Sequence, residues 1–192
     1  MGELNMKLIY NPITRRAIQN TKRNRESIVN QINKYIQQRR QGNDLVLISC
    51  SKQKSFAEDD ETIVAGNAYC SNLFRKSKDW ADNRSMDWAI LSARYGLLNP
   101  NQPITDYDLT LNELSPKQRK QWADNVAKQM MMRPKPEKVY LLAGSNYSRD
   151  LKPILESNGL EVEEPLRGMQ IGERLSELTM DNTWMNWHNR SD

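Results

Sequence analysis

Residues Asp44–Lys54 have the sequence DLVLISCSKQK, and this stretch decides the predicted fold. Leu45–Ile48 is a continuous apolar run that is too short for a buried helix, so it predicts a strand buried on both faces. Polar and reactive side chains follow at once: Ser49, Cys50, Ser51, Lys52 and Lys54. Because ligands of open α/β sheets bind at the carboxyl ends of strands, we expect a site at this position.

Two later segments repeat the same design. DWAILSARYGLL (Asp87–Leu98) and KVYLLAGSNYS (Lys138–Ser148) both pass from an apolar strand into small, hydroxylic, aromatic or glycine residues. The candidate ligand contacts in these segments are Ser92, Arg94, Tyr95, Gly96, Gly144, Ser145 and Tyr147. Three strand ends are therefore expected to meet at one site.

Helical patterns alternate with these strands. The apolar spacing predicts a helix over Ala68–Trp80, a second that starts at Ser115-Pro116, a third that ends at Asn158-Gly159, and a last one carrying Ile171, Leu175 and Leu178. Val162 belongs to a further short strand, while Ser55–Asn67 and Asn99–Leu111 are expected to be loops. This order predicts an α/β fold, a three-layer sandwich whose mostly parallel sheet has about four strands, preceded by a basic N-terminal helix.

The N-terminal segment, residues 1–42, is far more basic than the remainder. It holds nine Lys or Arg against two acids, 9 − 2 = +7, so the chain total of +4 leaves 19 − 22 = −3 for residues 43–192. We expect a helix over Arg25–Arg40 in this arm and a single α/β domain from residue 43. A basic arm predicts contact with nucleic acid through Arg15, Arg16, Lys22, Arg23, Arg25, Arg39 and Arg40. The alternatives are a merely solvated helix or a helix that docks on a protein partner.

Several classes of protein are disfavoured. No apolar run is long enough to cross a membrane and no secretion signal is present, so we expect a soluble, cytoplasmic protein with no membrane contact. Two cysteines and one histidine predict neither a disulfide framework nor a metal site, and we expect no cofactor. The glycine signatures of dinucleotide-binding and P-loop folds are absent.

Arg94, Asp106 and Asp108 are the charged residues expected to work at the site. The Arg94 guanidinium could clamp a phosphate, with Tyr95 stacking on a base, or it could form an internal salt bridge with Asp106 or Asp108. The two carboxylates are candidates for a general base or for ribose hydroxyl contacts, although Asp108 could also cap a turn.

The motifs LISCSKQK, AYCSNLF, ILSARYGLL, ITDYDLTL, LLAGSNY and PLRGMQIGERL together resemble an uncharacterised α/β family of bacteria, archaea and phages, over about Leu45–Leu178. More distantly, Cys50-x-x-x-Lys54 is similar to a motif in the central domain of archaeosine synthase, which has the uracil-DNA glycosylase-like fold. The prolines and the histidine of that motif are missing here. The resemblance implies a nucleobase or nucleoside pocket that includes Tyr69 and Ser71, and we add Gly168 and Met169 to its substrate contacts.

The leading hypothesis is an enzyme that acts on a base or an N-glycosidic bond of a nucleotide or nucleic acid. In a base-modifying version, Cys50 is the nucleophile and Lys52 or Lys54 activates it. In a cleaving version, Asp106 or Asp108 positions water while Lys54 and Arg94 stabilise developing negative charge.

Two alternatives stay open. One is a non-catalytic sensor or anti-defence module that binds a nucleotide or nucleotide sugar, and the other is nucleic-acid binding through the basic arm alone.

Overall fold

The structure is a computed structural model that describes residues 8–11, 16–19, 21–24, 26, 27, 30, 44–56 and 62–188, without the side chains of 8–19 and 183–188.

The chain divides into two compact units, Met1–Gly42 and Asn43–Asp192. In the first unit, β1 (Leu8–Asn11) and β2 (Arg16–Gln19) pair antiparallel. This hairpin was not predicted. Residues 22–24, 26, 27 and 30 are helical, whereas most of the helix predicted over Arg25–Arg40 lies outside the described residues.

The second unit alternates strands with helices. Its strands are β3 (Leu45–Ser49), β4 (Thr62–Val64), β5 (Asp87–Ser92), β6 (Gly96–Leu98), β7 (Pro103–Thr105), β8 (Lys138–Leu142) and β9 (Glu161–Glu163). Its helices are α1 (Ala65–Ala68), α2 (Asn72–Asn83), a 3-10 turn (Leu111–Glu113), α3 (Pro116–Met131), α4 (Ser145–Ser157) and α5 (Ile171–His188).

A five-stranded sheet in the order β6-β5-β3-β8-β9 forms the middle layer. β3 lies at its centre and pairs parallel with β5 on one side and β8 on the other, and β9 continues parallel to β8. The α/β class and the four predicted strands are confirmed. The sheet is nevertheless mixed, because β6 adds a fifth strand that runs antiparallel to β5.

The reason for this extra strand is local. Gly96 has φ +74°, a conformation that costs glycine little, and it turns the chain back immediately after β5. The predicted loops also contain strands: β4 pairs antiparallel with β7 in a separate two-stranded sheet. Strands of three residues, one of them starting at a proline, are too short to show a period in the sequence.

Alternate residues of β3 face two different apolar clusters. Leu45 and Leu47 pack in a cluster with residues of α3 and α4. Val46 and Ile48 face the opposite side, where residues of α2 and α5 pack. The sheet therefore has helices on both faces, as the unbroken apolar run of β3 predicts.

The helix boundaries follow ordinary capping chemistry. Ser71 caps α2 by accepting a hydrogen bond from the Phe74 amide, and Ser115 begins α3 in a reciprocal capping box with Gln118. Ile171, which was expected in the core, is 70% exposed because it is the first residue of α5, whereas Leu178 is buried. Among the described residues, no helix is long and apolar enough to cross a membrane.

We predict that alanine lowers the stability of the fold at one of two glycines proposed as ligand contacts and leaves it almost unchanged at the other. In Gly96→Ala, the new methyl group meets the Gln129 carboxamide in a backbone conformation that alanine resists, so the free energy of unfolding should fall by about 1–3 kcal/mol. In Gly144→Ala, nothing lies within 4 Å of the new methyl group, so the change should stay within about 0.5 kcal/mol. Urea unfolding of both variants measures the difference, and equal losses would contradict the assignment.

Candidate functional site

A cleft of about 420 Å³ opens at the carboxyl ends of β3 and β8. The chain leaves β3 towards one edge of the sheet, through α2 to β5, and reaches β8 on the other side only later. Such a change of direction leaves a crevice between the two strand ends. The lining comprises Ser49, Cys50, Ser51, Lys52, Ser71, Leu73, Phe74, Ser77, Leu109, Thr110, Leu111, Asn112, Gly144, Ser145, Asn146, Tyr147, Ile171 and Arg174.

Cys50 lies at the base of this arrangement, one residue beyond β3. Its amide donates to the Leu91 carbonyl at 2.9 Å and so extends the pairing of β3 with β5. Its Sγ is 3.3 Å from the Tyr147 hydroxyl, which α4 supplies from its first turn. The thiol is half-buried and forms no disulfide, so a ligand in the cleft can reach it.

Tyr147 is held against the core by an edge-on contact with Trp122, with ring centroids 5.4 Å apart. Burial raises the pKa of Tyr147 well above its ordinary value, and the adjacent Cys50 adds to the effect. The phenol therefore keeps its proton at neutral pH. When Cys50 is a thiolate, Tyr147 can donate a hydrogen bond to it.

Two cationic residues, Lys52 and Arg174, line the cleft. Lys52 has a side chain that is 66% exposed and lies 3.4 Å from Asp108. Arg174, from α5, donates to the Met169 carbonyl at 2.9 Å and to the Ala143 carbonyl at 3.0 Å. These two bonds fix the guanidinium and leave three of its five N–H donors for a ligand.

Arg174 was missed by the sequence analysis. It precedes the buried Leu178 by four residues and therefore shares the inward face of α5. An arginine at an inward position is costly without a partner, and this was the available signal.

The start of α4 adds further polar groups. Its N-cap, Gly144, has no side chain to satisfy the first amides of the helix, of which Ser145 and Asn146 line the cleft. The Asn146 side chain is held by Asn112 at 2.6 Å and by Arg149 at 2.9 Å. Ser71, which caps α2, also lines the cleft.

Lys54, Tyr69 and Ser92, all expected at the substrate, instead belong to an internal network centred on Tyr107. The Tyr107 hydroxyl is 2.8 Å from both the Tyr69 hydroxyl and Ser92 Oγ. The Lys54 side chain is only 7% exposed; its ammonium donates to the Tyr107 carbonyl and lies 4.2 Å from the centre of the Tyr107 ring. None of these side chains lines the cleft.

Burial dominates the acid-base behaviour of this network. It raises the pKa of Tyr69 to about 12 and that of Tyr107 well above its ordinary value, and the nearby Cys50 acts in the same direction. Both phenols are thus neutral hydrogen-bonding groups at physiological pH. The hydrogen bond between Tyr69 and Tyr107 joins the segment after α1 to the segment after β7, and the edge-on contact of Tyr95 with Tyr107 adds the turn after β5.

The two candidate acids lie outside the cleft. Asp106 accepts from the Tyr107 amide at 2.7 Å and is 3.7 Å from Lys54, while Asp108 pairs with Lys52. The alternative in which Arg94 forms a salt bridge with Asp106 or Asp108 is wrong, since those carboxylates pair with Lys54 and Lys52.

Arg94, Tyr95 and Gly96 line a different cleft, next to α3. β5 ends in the buried Ser92, and the turn that follows leads away from Cys50 into β6. Gly168 and Met169 precede α5, and neither lines the Cys50 cleft. Two of the three strand ends, those of β3 and β8, therefore form the cleft, while the third does not contribute to it.

The arm residues proposed for nucleic acid are only partly described. Lys22 and Arg23 are exposed, and Arg16 is the first residue of β2. Arg15, Arg25, Arg39 and Arg40 lie outside the described residues.

Residues 45–180 match the family described as "Family of unknown function (DUF6884)". The match covers more than half of the chain and includes β3, the cleft and most of α5. A comparison with curated proteins gave no match.

We predict that Lys54 stabilises the fold and that Lys52 does not. Lys54→Met should lower the free energy of unfolding by about 1–3 kcal/mol, because it leaves a buried carbonyl without its charged donor. Lys52→Met is the matched control, since its ion pair is exposed and should contribute less than about 1 kcal/mol. Chemical denaturation of both variants gives the comparison, and a Lys54 variant as stable as the wild type would refute the structural role.

We predict a loss of stability at alkaline pH that depends on Tyr69. The unfolded chain ionises this phenol near pH 10, whereas the folded chain holds the proton until about pH 12. Its contribution is complete below pH 10 and is lost as the pH rises towards 12. Unfolding free energies measured from pH 9 to 12 should fall less steeply for Tyr69→Phe than for the wild type. Parallel curves would show that burial does not shift this group.

Proposed function

The chain belongs to the DUF6884 family, whose function is unknown, and we propose that its Cys50 cleft binds a nucleotide or a base of nucleic acid and that Cys50 reacts with that base. One observation carries the proposal: a thiol with a phenol at 3.3 Å lies in the ligand crevice of an α/β sheet, and two cationic residues line the same cleft.

The composition of the cleft suits a nucleotide. Its volume of about 420 Å³ lies within the usual range for small-molecule sites. Leu73, Phe74 and Leu109 give the apolar contact that a base needs. Lys52 and Arg174 give charge-assisted donors for a phosphate.

The proposed chemistry starts from the Cys50 thiolate. The Tyr147 hydroxyl lies 3.3 Å from Cys50 Sγ and can donate a hydrogen bond to the sulfur, while Lys52 and Arg174 line the same cleft. Sulfur donates an electron pair to an electron-poor ring carbon, and the ring π electrons move to a ring nitrogen or oxygen. The neighbouring ring carbon then bonds to a group from an electrophilic donor, whose leaving group departs with its bonding electrons. Loss of the proton on that carbon to water restores the ring double bond, expels the sulfur with its electron pair and regenerates the Cys50 thiolate.

The cleaving version has less support than base modification. It assigns water to Asp106 or Asp108 and charge stabilisation to Lys54 and Arg94, and none of these four side chains lines the cleft.

Nucleotide binding without turnover is the second candidate. The residues that line the cleft, within the described part of the chain, include no carboxylate and no histidine. The described lining therefore offers no carboxylate or imidazole as a general base, and this observation supports binding without turnover as the second candidate.

We predict that Cys50 is required for turnover and that Cys70 is not. The full chain is incubated with nucleotides, single-stranded DNA and RNA, and products and protein adducts are followed by mass spectrometry. Cys50→Ser should lower turnover at least about a thousandfold, as expected for loss of a nucleophile. Cys70→Ser is the matched control, because Cys70 is equally half-buried and lies outside the cleft.

Binding separates the two candidates. Lys52→Ala should weaken nucleotide affinity roughly tenfold in either case. A bound nucleotide without any product would select the sensor, whereas full turnover by Cys50→Ser would exclude Cys50 as nucleophile. If no nucleotide binds, the proposal for this cleft is wrong.

A further inference from the structure

A second cleft, of about 490 Å³, lies between the β5-β6 turn and α3. It is lined by Ala93, Arg94, Tyr95, Gly96, Gln118, Gln121, Trp122, Asn125, Lys128, Gln129 and Met132. Its floor is formed by Ala93 and Trp122, both 6% exposed. Trp122 also contacts Tyr147, so this cleft backs onto the Cys50 cleft across a single pair of rings.

One wall is a stripe along α3 and its C-terminal end. Gln118, Gln121, Asn125, Lys128 and Met132 recur at intervals of three or four residues, which places them on one face of the helix. All five are exposed. Met132 is 85% exposed, which is unusual for so large an apolar side chain.

The opposite wall presents Arg94. Its guanidinium lies 5.6 Å from the centre of the Tyr95 ring, and Tyr95 is itself fixed by a hydrogen bond to Thr105 at 3.2 Å. Within the described residues, neither Arg94 nor Lys128 forms an ion pair, and no carboxylate lines the cleft. Both positive charges are therefore available to an anionic ligand.

The side-chain amides of the cleft have two distinct roles. Gln129 is used internally: its oxygen accepts from the Leu97 amide at 2.7 Å and its nitrogen donates to the Tyr95 carbonyl. Gln121 and Asn125, as far as the structure describes their surroundings, make no side-chain hydrogen bond. Each presents a paired donor and acceptor, the pattern that matches the edge of a base.

We infer that this second cleft binds a segment of single-stranded nucleic acid. Arg94 and Lys128 contact phosphates, while Gln121 and Asn125 contact the edge of an unstacked base beside Tyr95. A base of a double helix must first be unpaired and flipped out before it can enter such a cleft, whereas a base of a single strand is already accessible. The inference goes beyond the proposed function and does not depend on Cys50.

The test compares two double variants that lose the same charge. Arg94→Ala/Lys128→Ala removes two cations from the cleft, and Lys117→Ala/Lys120→Ala removes two exposed cations of the same helix that do not line it. Fluorescence anisotropy with labelled DNA and RNA strands of about 12 nucleotides gives the affinity over a range of salt concentrations. Thermal unfolding of each variant verifies that it is folded.

The cleft pair should bind roughly tenfold more weakly at about 0.1 M salt, and its slope of log affinity against log salt should decrease by about 1.4. The control pair should stay within about twofold of the wild type. A third variant, Gln121→Ala/Asn125→Ala, should lower the preference among base sequences and leave the salt slope unchanged.

Equal weakening of the two charge pairs, an unchanged cleft pair, or a wild-type chain that binds no single strand would each overturn the inference. Competition by polyglutamate as strong as that by a strand of equal charge would assign the cleft to an acidic protein instead. Nucleotide binding in the Cys50 cleft is measured separately with Lys52→Ala. If no nucleotide binds there, the proposed function is wrong and this inference is unaffected. If Arg94→Ala/Lys128→Ala binds single strands as the control pair does, this inference is wrong and the proposed function is unaffected.

Discussion

Burial of β3 on both faces is the constraint on which the rest of the structure depends. Leu45–Ile48 loses contact with water because strands flank β3 on both edges and helices cover both faces of the sheet. The chain passes from β3 to β5 on one side of it, and β8, which comes later in the chain, lies on the other side. The same constraint that stabilises the core therefore opens a crevice at Cys50, where the apolar run ends.

Polar groups near the strand ends divide into structural and accessible sets. Lys54, Tyr69, Ser92 and Tyr107 satisfy one another, which a buried hydroxyl or ammonium group requires. Cys50, Lys52 and Arg174 keep donors or reactive atoms directed to the cleft. The internal network thereby links the loops that carry the accessible groups.

The two clefts share a wall but differ in chemistry. The first has a thiol, a phenol and small hydroxylic side chains around an apolar patch. The second has guanidinium, ammonium and amide groups and no reactive nucleophile. Because Trp122 and Tyr147 are in ring contact, the two clefts lie back to back.

The amino-acid sequence was sufficient to predict the four parallel strands, the capped start of α3 and a cleft at the strand ends, where β3 and β8 contribute as expected and β5 does not. These features depend on local burial patterns and capping residues, which neighbouring positions report directly. The tertiary structure alone decided that β6 turns back antiparallel, that Arg94 faces a second cleft, that Lys54 is internal and that Arg174 reaches the first cleft. Lys54 meets its partner 53 residues later in the chain, and Arg174 meets a carbonyl 31 residues earlier. Partners so distant in the chain are selected by the packing of whole elements, and a local pattern carries no record of that choice.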